Sequence, residues 1–172
     1  MGKRSDFERK PRDYYPTPIE AVKPLLVHLP DKFTFAEPCA GDGRLINHLV
    51  ENGGEVRYAY DIEPQSNWVK ERDALSQGYT QCDYIITNPP WNRKILHPMI
   101  DHFIDFKPTW LLFDSDWMHT KQSIPYMKYL SKVVSIGRVK WIEGSSSVGK
   151  DNCCWYLFER DSLYPTRFFG RT

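Results

Sequence analysis

Four short apolar runs recur along the chain: FTFAE at 33–37, EVRYAY at 55–60, DYIIT at 83–87 and TWLLF at 109–113. Runs of this length that alternate with helical segments specify a mostly parallel sheet with helices on both faces, because parallel neighbours need long crossovers. The intervening stripes supply the helices. Ile19, Val22, Leu25, Leu26 and Leu29 form one, closed by Pro30-Asp31. Leu45, Ile46, Leu49 and Val50 form a second, closed by Gly53-Gly54, and 95–106 is a third. Thr17-Pro18-Ile19-Glu20 reads as a helix start, with Thr17 as N-cap and Pro18 in the first turn. A weaker irregular piece spans 66–70, a helix is expected at 121–131, and a strand at 133–136. Two further strands, 139–142 and 153–158, flank a polar loop too short for a helix, so an antiparallel hairpin is expected at one edge. The expected organisation is a basic arm at 1–13 and a single α/β domain at 14–172.

Composition excludes more than it assigns. The net charge is +1, so no global charge marks a partner. Lys3, Arg4, Arg9, Lys10 and Arg12 form a local basic arm, read either as a solvated tail or as a contact to phosphate. Cys39, Cys82, Cys153 and Cys154 contain no C-x-x-C pair and the histidines no H-x-x-x-H pair, so no metal site is expected. No apolar stretch is long enough for a membrane span and the N-terminus has no apolar signal core, so a cytoplasmic setting is expected.

In a parallel sheet, ligands sit at the carboxyl ends of the strands. Three features fall there. Glu37-Pro38-Cys39-Ala40-Gly41-Asp42-Gly43 is an acidic strand end followed by a small-residue turn that lets backbone approach a ligand. It is not the dinucleotide fingerprint, since Ile46 stands where the third glycine would be. Asp61 ends the next strand, where an acid accepts hydrogen bonds from ribose hydroxyls. Together they point to an adenosine-bearing cofactor. Asn88-Pro89-Pro90-Trp91 ends the third strand. The prolines donate no hydrogen bonds and stiffen the turn, Asn88 brings a side-chain acceptor, and Trp91 a flat apolar face. Acceptors beside a stacking face suit a planar amino-bearing substrate. They can hold both hydrogens of an exocyclic amine and aim its lone pair, with no general base needed before attack. The plain structural alternative is a proline turn with an Asn cap and a core Trp.

This constellation resembles the S-adenosylmethionine-dependent amino-methyltransferases of the DNA N6-adenine type, over roughly residues 14–158, in a small form. The resemblance implies a Rossmann-like class I methyltransferase fold. It implies S-adenosylmethionine as cofactor and S-adenosylhomocysteine as product. Tyr14-Tyr15-Pro16-Thr17-Pro18 resembles the element that receives the cofactor's methionine carboxylate, through Tyr15, Thr17 and Pro18. Glu37, Pro38, Cys39, Ala40, Gly41 and Gly43 would lie under the methionine and ribose, Asp61 with Ile62 would hold the ribose, and Asp73 the cofactor's adenine. Asn88 would border both ligands. Asn88 and the Pro89 carbonyl, stiffened by Pro90, would hold the N6 amine of a flipped-out adenine while Trp91 stacks on it, and the methyl would pass in line. Trp141 would supply a second ring face and Lys150 a phosphate contact.

The chain leaves no room for the target-recognition region of sequence-specific members. Only the loops near 114–122 and 143–152 and the basic arm remain, so low specificity, a very short target, a recognition partner or a homodimer is expected. Small enzymes of this look are often phage-encoded, which would place the chain in a host cytoplasm. Gly144-Ser145-Ser146-Ser147-Val148-Gly149-Lys150 nearly matches a phosphate-binding loop but fails at Asp151, and a strand follows where that loop needs a helix. The rival readings keep the cofactor and change the acceptor, to an RNA adenine, a cytosine N4 or a protein glutamine. A rival of another class is a non-catalytic partner that keeps the fold.

Overall fold

In a computed structural model, which describes residues 14–144, 148–162 and 164–171, the apolar runs become the centre of an eight-stranded sheet. The basic arm and residues 145–147 lie outside the described residues. The strands are β1 (Phe33–Glu37), β2 (Gly54–Asp61), β3 (Lys70–Glu71), β4 (Tyr84–Thr87), β5 (Thr109–Asp114), β6 (Leu130–Arg138), β7 (Asn152–Phe158) and β8 (Arg167–Phe169), in the order β3-β2-β1-β4-β5-β7-β6-β8. Strands β1 to β5 are parallel, and β7 runs antiparallel between β5 and β6. The order reverses between β1 and β4. From β1 the chain winds out to β3, then returns and winds the other way, leaving a crevice at the carboxyl ends of β1 and β4.

Both faces of the sheet are covered, which is why its central strands read as continuous apolar runs. Along β5 the side chains alternate: Trp110 and Leu112 join one core with α1 (Ile19–Leu26) and α2 (Arg44–Glu51), while Leu111 and Phe113 join the other with α3 (Arg93–Ile104). Trp155 anchors the first core by donating from Nε1 to the Ala21 carbonyl at 2.7 Å.

Several sequence expectations are corrected. Residues 121–129 form a 3-10 helix containing Pro125, which cannot donate to an α-helical ladder, and Leu130 and Ser131 belong to β6. Residues 139–142 are not a strand; β6 ends at Arg138 after an irregularity at Gly137, whose φ is 74°. The hairpin is therefore β6–β7, and the outer edge is β8. The irregular piece at 66–70 ends in the short strand β3, paired to Tyr60 and Asp61. Thr17 caps nothing: α1 starts after Pro18 with no side-chain cap, because the Thr17 hydroxyl is engaged elsewhere.

Trp110 and Trp155 are both fully buried in the same core, yet Trp110 Nε1 has no hydrogen-bond partner among the described residues. Trp155→Phe should therefore cost on the order of 1 kcal/mol more than Trp110→Phe, since only the former loses a hydrogen bond and the latter removes an unmet buried donor. Urea unfolding midpoints at equal m-values would check this; equal losses would contradict it.

Candidate functional site

The crevice holds a cavity of about 900 Å³. Its floor is the turn after β1. Gly41 and Gly43 have φ of 53° and 84°, a region costly for residues with a Cβ. A Cβ on Gly41 would sit 2.5 Å from the Tyr14 ring, and one on Gly43 would sit 2.0 Å from Trp68. Asp61 fastens this turn to the end of β2. Its Oδ2 accepts from the Gly41 N–H and its Oδ1 from the Glu63 N–H, both at 2.8 Å. A carboxylate has about four lone-pair sites, so two remain for a ligand.

Glu37, at the end of β1, is buried to 1 % exposure. Its Oε1 accepts from the Cys39 N–H at 3.2 Å, while Oε2 has no partner among the described residues. Burial pushes this carboxyl up to about 8. Burial likewise holds the Cys39 thiol well above its ordinary range. The Tyr14 phenol is pushed up to about 12 by burial and by Asp42 beside it.

Asn88 is delivered by the end of β4. Its Nδ2 donates to the Tyr15 carbonyl at 3.3 Å and to Thr17 Oγ1 at 3.2 Å. Its Oδ1 is approached at 3.4 Å by Trp91 Nε1, which also donates to the Leu112 carbonyl at 3.2 Å. The segment 14–17 is thus a strap across the crevice, tied to the Asn88 amide.

The cavity gathers most of the expected residues. Tyr15 and Thr17 line it from the strap, Glu37 to Gly41 from the end of β1 and its turn, Asp61 and Ile62 from the end of β2 and just after it, Asp73 from beyond β3, and Asn88 and Pro90 from just after β4. Asp73 also accepts from the Leu75 N–H at 2.9 Å, capping a single 3-10 turn. Pro18, Gly43, Pro89, Trp91, Trp141 and Lys150 do not line it. Trp91 packs between the two cores, edge-on to Trp141 at 5.9 Å and 80°, and Trp141 lies 6.4 Å from Tyr15. Asp114 is spoken for. It pairs with Arg93 at 2.6 Å and accepts from the Trp117 N–H at 3.0 Å, so the loop near 114–122 is folded around a fully buried Trp117.

Sequence reasoning missed part of the site. Tyr14, Asp42 and Glu63 line the cavity, as do Leu75, Ile95 and Met99. Acid followed by Ile and acid at 61–63 was the signal for Glu63. With these, five acidic side chains (Glu37, Asp42, Asp61, Glu63 and Asp73) line the cavity, and no Lys, Arg or His lines it among the described residues. Such a lining repels phosphate and favours a cationic ligand.

No protein-family model matches the chain. It is 30% identical over 114 residues to the type II methyltransferase M.VspI of Vibrio sp. strain 343, an alignment covering 52% of this chain and 28% of that protein. The chain therefore matches well under a third of the relative's length. Among solved structures, PH1948 of Pyrococcus horikoshii, assigned as an RNA methyltransferase, superposes with a TM-score of 0.64 at 13% identity, covering 86% of this chain and 87% of that one. A dimethyladenosine transferase of Plasmodium falciparum gives 0.57 at 17%, covering 83% and 61%. The modification subunit assigned to a type I restriction enzyme of Vibrio vulnificus gives 0.58 at 12%, covering 91% and 47%. The fold is the Rossmann-like class I methyltransferase fold.

Glu37 makes a pH prediction. Its carboxyl is raised from 4.5 to about 8 in the folded chain. Between those values the folded state keeps a proton that the unfolded state releases, so stability falls as pH rises through the window and levels off above about 8. Glu37→Gln should abolish that slope, which amounts to on the order of a few kcal/mol between pH 5 and 8. Equal slopes for the variant and the parent in urea titrations would place the proton elsewhere.

Proposed function

We propose that the chain is an S-adenosylmethionine-dependent methyltransferase that acts on an exocyclic amino group, adenine N6 in DNA. The observation that carries this reading is the joining of two features. A cavity lined by five acidic side chains and, among the described residues, no basic one borders an Asn88 whose acceptor oxygen is kept free of the strap.

The residues fit the cofactor. S-adenosylmethionine carries a sulfonium and an ammonium against one carboxylate, so it suits a lining that dinucleotides and nucleoside triphosphates do not. Glu37, beside the Thr87 hydroxyl, is a buried acceptor for the ammonium and would ionise as that charge arrives. The free lone pairs of Asp61 suit ribose hydroxyls, and Ile62 and Leu75, both exposed at the cavity, suit the faces of the adenine. When bound, the cofactor supplies a methyl group already activated on sulfur.

The chain's own part is orientation. Asn88 Oδ1 accepts a hydrogen from the target amine, and the prolines beside it bring no competing donor. Holding the amine's hydrogens by acceptors keeps its lone pair from the ring and points it in one direction, which is worth several kcal/mol of barrier.

The likeness to a type II methyltransferase supports DNA as the acceptor's source, and surface charge supports a nucleic acid. Gly149 donates to the Val139 carbonyl at 2.8 Å and Arg138 pairs with Asn152, so the backbone carrying Lys150 runs beside that carrying Arg138 and Lys140. The Arg171 guanidinium packs over Gly137 next door. None of these four has an ion-pair partner among the described residues, and the cluster adjoins Trp141, Trp91 and Tyr15. Base flipping would bring the target past this edge.

Labelled S-adenosylmethionine offered with duplex DNA, single-stranded DNA, RNA and glutamine peptides tests the reading. Label is expected in N6-methyladenine from DNA, and Asn88→Ala should lower turnover by about 10²–10³-fold with cofactor affinity within a few-fold. Label in RNA, cytosine or glutamine would correct the acceptor, and none at all with cofactor bound would favour a binding-only protein. For the charge cluster, the Arg138→Ala, Lys140→Ala and Lys150→Ala triple variant should shallow the dependence of log affinity on log salt by roughly 2 to 3. An unchanged slope would exclude the cluster from binding.

A further inference from the structure

The side chain of Asn88 can face either way. Turning a primary amide over exchanges its acceptor for its donor, so its function depends on what fixes it. Three groups do. On one side lie the Tyr15 carbonyl, which only accepts, and Thr17 Oγ1, at 3.3 and 3.2 Å from Nδ2. On the other lies Trp91 Nε1, which only donates, 3.4 Å from Oδ1. Reversed, the amide would set oxygen against oxygen at Tyr15 and N–H against N–H at Trp91. The Tyr15 carbonyl and the Trp91 N–H thus set the sense of the amide, while the Thr17 hydroxyl, able to donate or accept, holds it in place.

Of these, Thr17 is the side chain that substitution can remove without touching a ring or the backbone. It is 4 % exposed, and its position is set from the core. Pro18 leads directly into α1, whose Ala21, Val22 and Leu25 are buried and whose Ala21 carbonyl is held by Trp155. The hydroxyl is thus the end of a rigid path from β7 through α1 to Asn88.

We propose that Thr17 is a positioning residue, whose hydroxyl holds in place the Asn88 carboxamide that Tyr15 and Trp91 orient with Oδ1 toward the target amine, rather than a ligand of the cofactor. The assignment rests on the methyl-transfer reading and refines it. The two roles predict opposite kinetic patterns. A cofactor ligand lost raises the cofactor's dissociation constant. A positioning hydroxyl lost leaves that constant alone and lowers kcat, since the second Nδ2 hydrogen then lacks its buried partner and the acceptor wavers.

The experiment compares Thr17→Val and Thr17→Ser with the parent. Three readouts are taken: calorimetry with S-adenosylmethionine, kcat and KM for the nucleic acid that accepts label, and the Asn88 side-chain amide resonances by ¹⁵N NMR, identified by their loss in Asn88→Ala. Thr17→Val is expected to lower kcat about ten-fold with the cofactor constant within two-fold. It should also shift the Asn88 amide resonances and speed their hydrogen exchange. Thr17→Ser should restore all three. A cofactor constant weakened ten-fold with Asn88 resonances unmoved would overturn the proposal and return Thr17 to the cofactor. If the parent transfers no methyl to any acceptor, the functional reading fails while the amide resonances still decide whether Thr17 holds Asn88.

Discussion

One carboxylate holds the ligand edge of this sheet together. Asp61 receives the Gly41 N–H with one oxygen and the Glu63 N–H with the other. Hydrogen bonds from N–H groups to a charged acceptor are among the stronger ones available to a chain. Here they join a turn between β1 and α2 to the segment leaving β2, two pieces with little apolar surface to share. Gln65 returns the link by donating to the Gly41 carbonyl at 2.9 Å. The turn therefore keeps its positive-φ glycines in place and its shape open, with Tyr14 and Trp68 lying where side chains would otherwise project.

The same edge concentrates negative charge at a cost to the fold. Glu37 is the extreme case, a carboxyl with one oxygen unpaired in the core. The chain meets the cost by keeping it protonated at neutral pH. A buried acid held in this way is a latent charge: it becomes favourable only when a cation arrives to share the site. The arrangement thus links the cavity's electrostatics to occupancy, and the fold is least comfortable with the site in the state that binding relieves.

How much was legible follows from where each signal resides. The central strands were readable because burial on both faces leaves almost no polar positions, as in TWLLF of β5. β3 was not, since Lys70 and Glu71 are exposed and polar and the strand exists only through backbone pairing with Tyr60 and Asp61. Thr17 was misread as a cap for a related reason. Local patterns assign a hydroxyl to its nearest N–H groups, whereas its partner Asn88 lies 71 residues away. Trp141 was read as a strand residue because apolar residues on either side mimic alternation, and the bend at Gly137 that takes the chain out of the ladder has no apolar signature. The grouping of Glu37, Gly41, Asp61 and Asn88 in one cavity was legible because topology alone sends strand ends to one edge. The full acidity of that cavity was not, since Asp42 was seen only as part of a turn and Glu63, exposed after β2, carries no pattern of its own.

Trp91 does more than fill the space between the two cores. A phenyl ring there would pack and nothing more. The indole adds an N–H, shared between the Leu112 carbonyl and Asn88 Oδ1 at 3.2 and 3.4 Å. The longer contact is weak by the standards of N–H···O bonds, which cluster nearer 2.9 Å. It is strong enough to reject the reversed amide and weak enough to leave oxygen lone pairs for a better donor. An amine hydrogen arriving at Asn88 competes with a poor bond and not a good one, so little is lost on exchange. A ligand offering an oxygen at the same place would set lone pair against lone pair, with the nearby amide hydrogens already committed to the strap. The groups on Asn88 already spent on the strap thus leave Oδ1 open to a donor and leave nothing to offer a bare carbonyl.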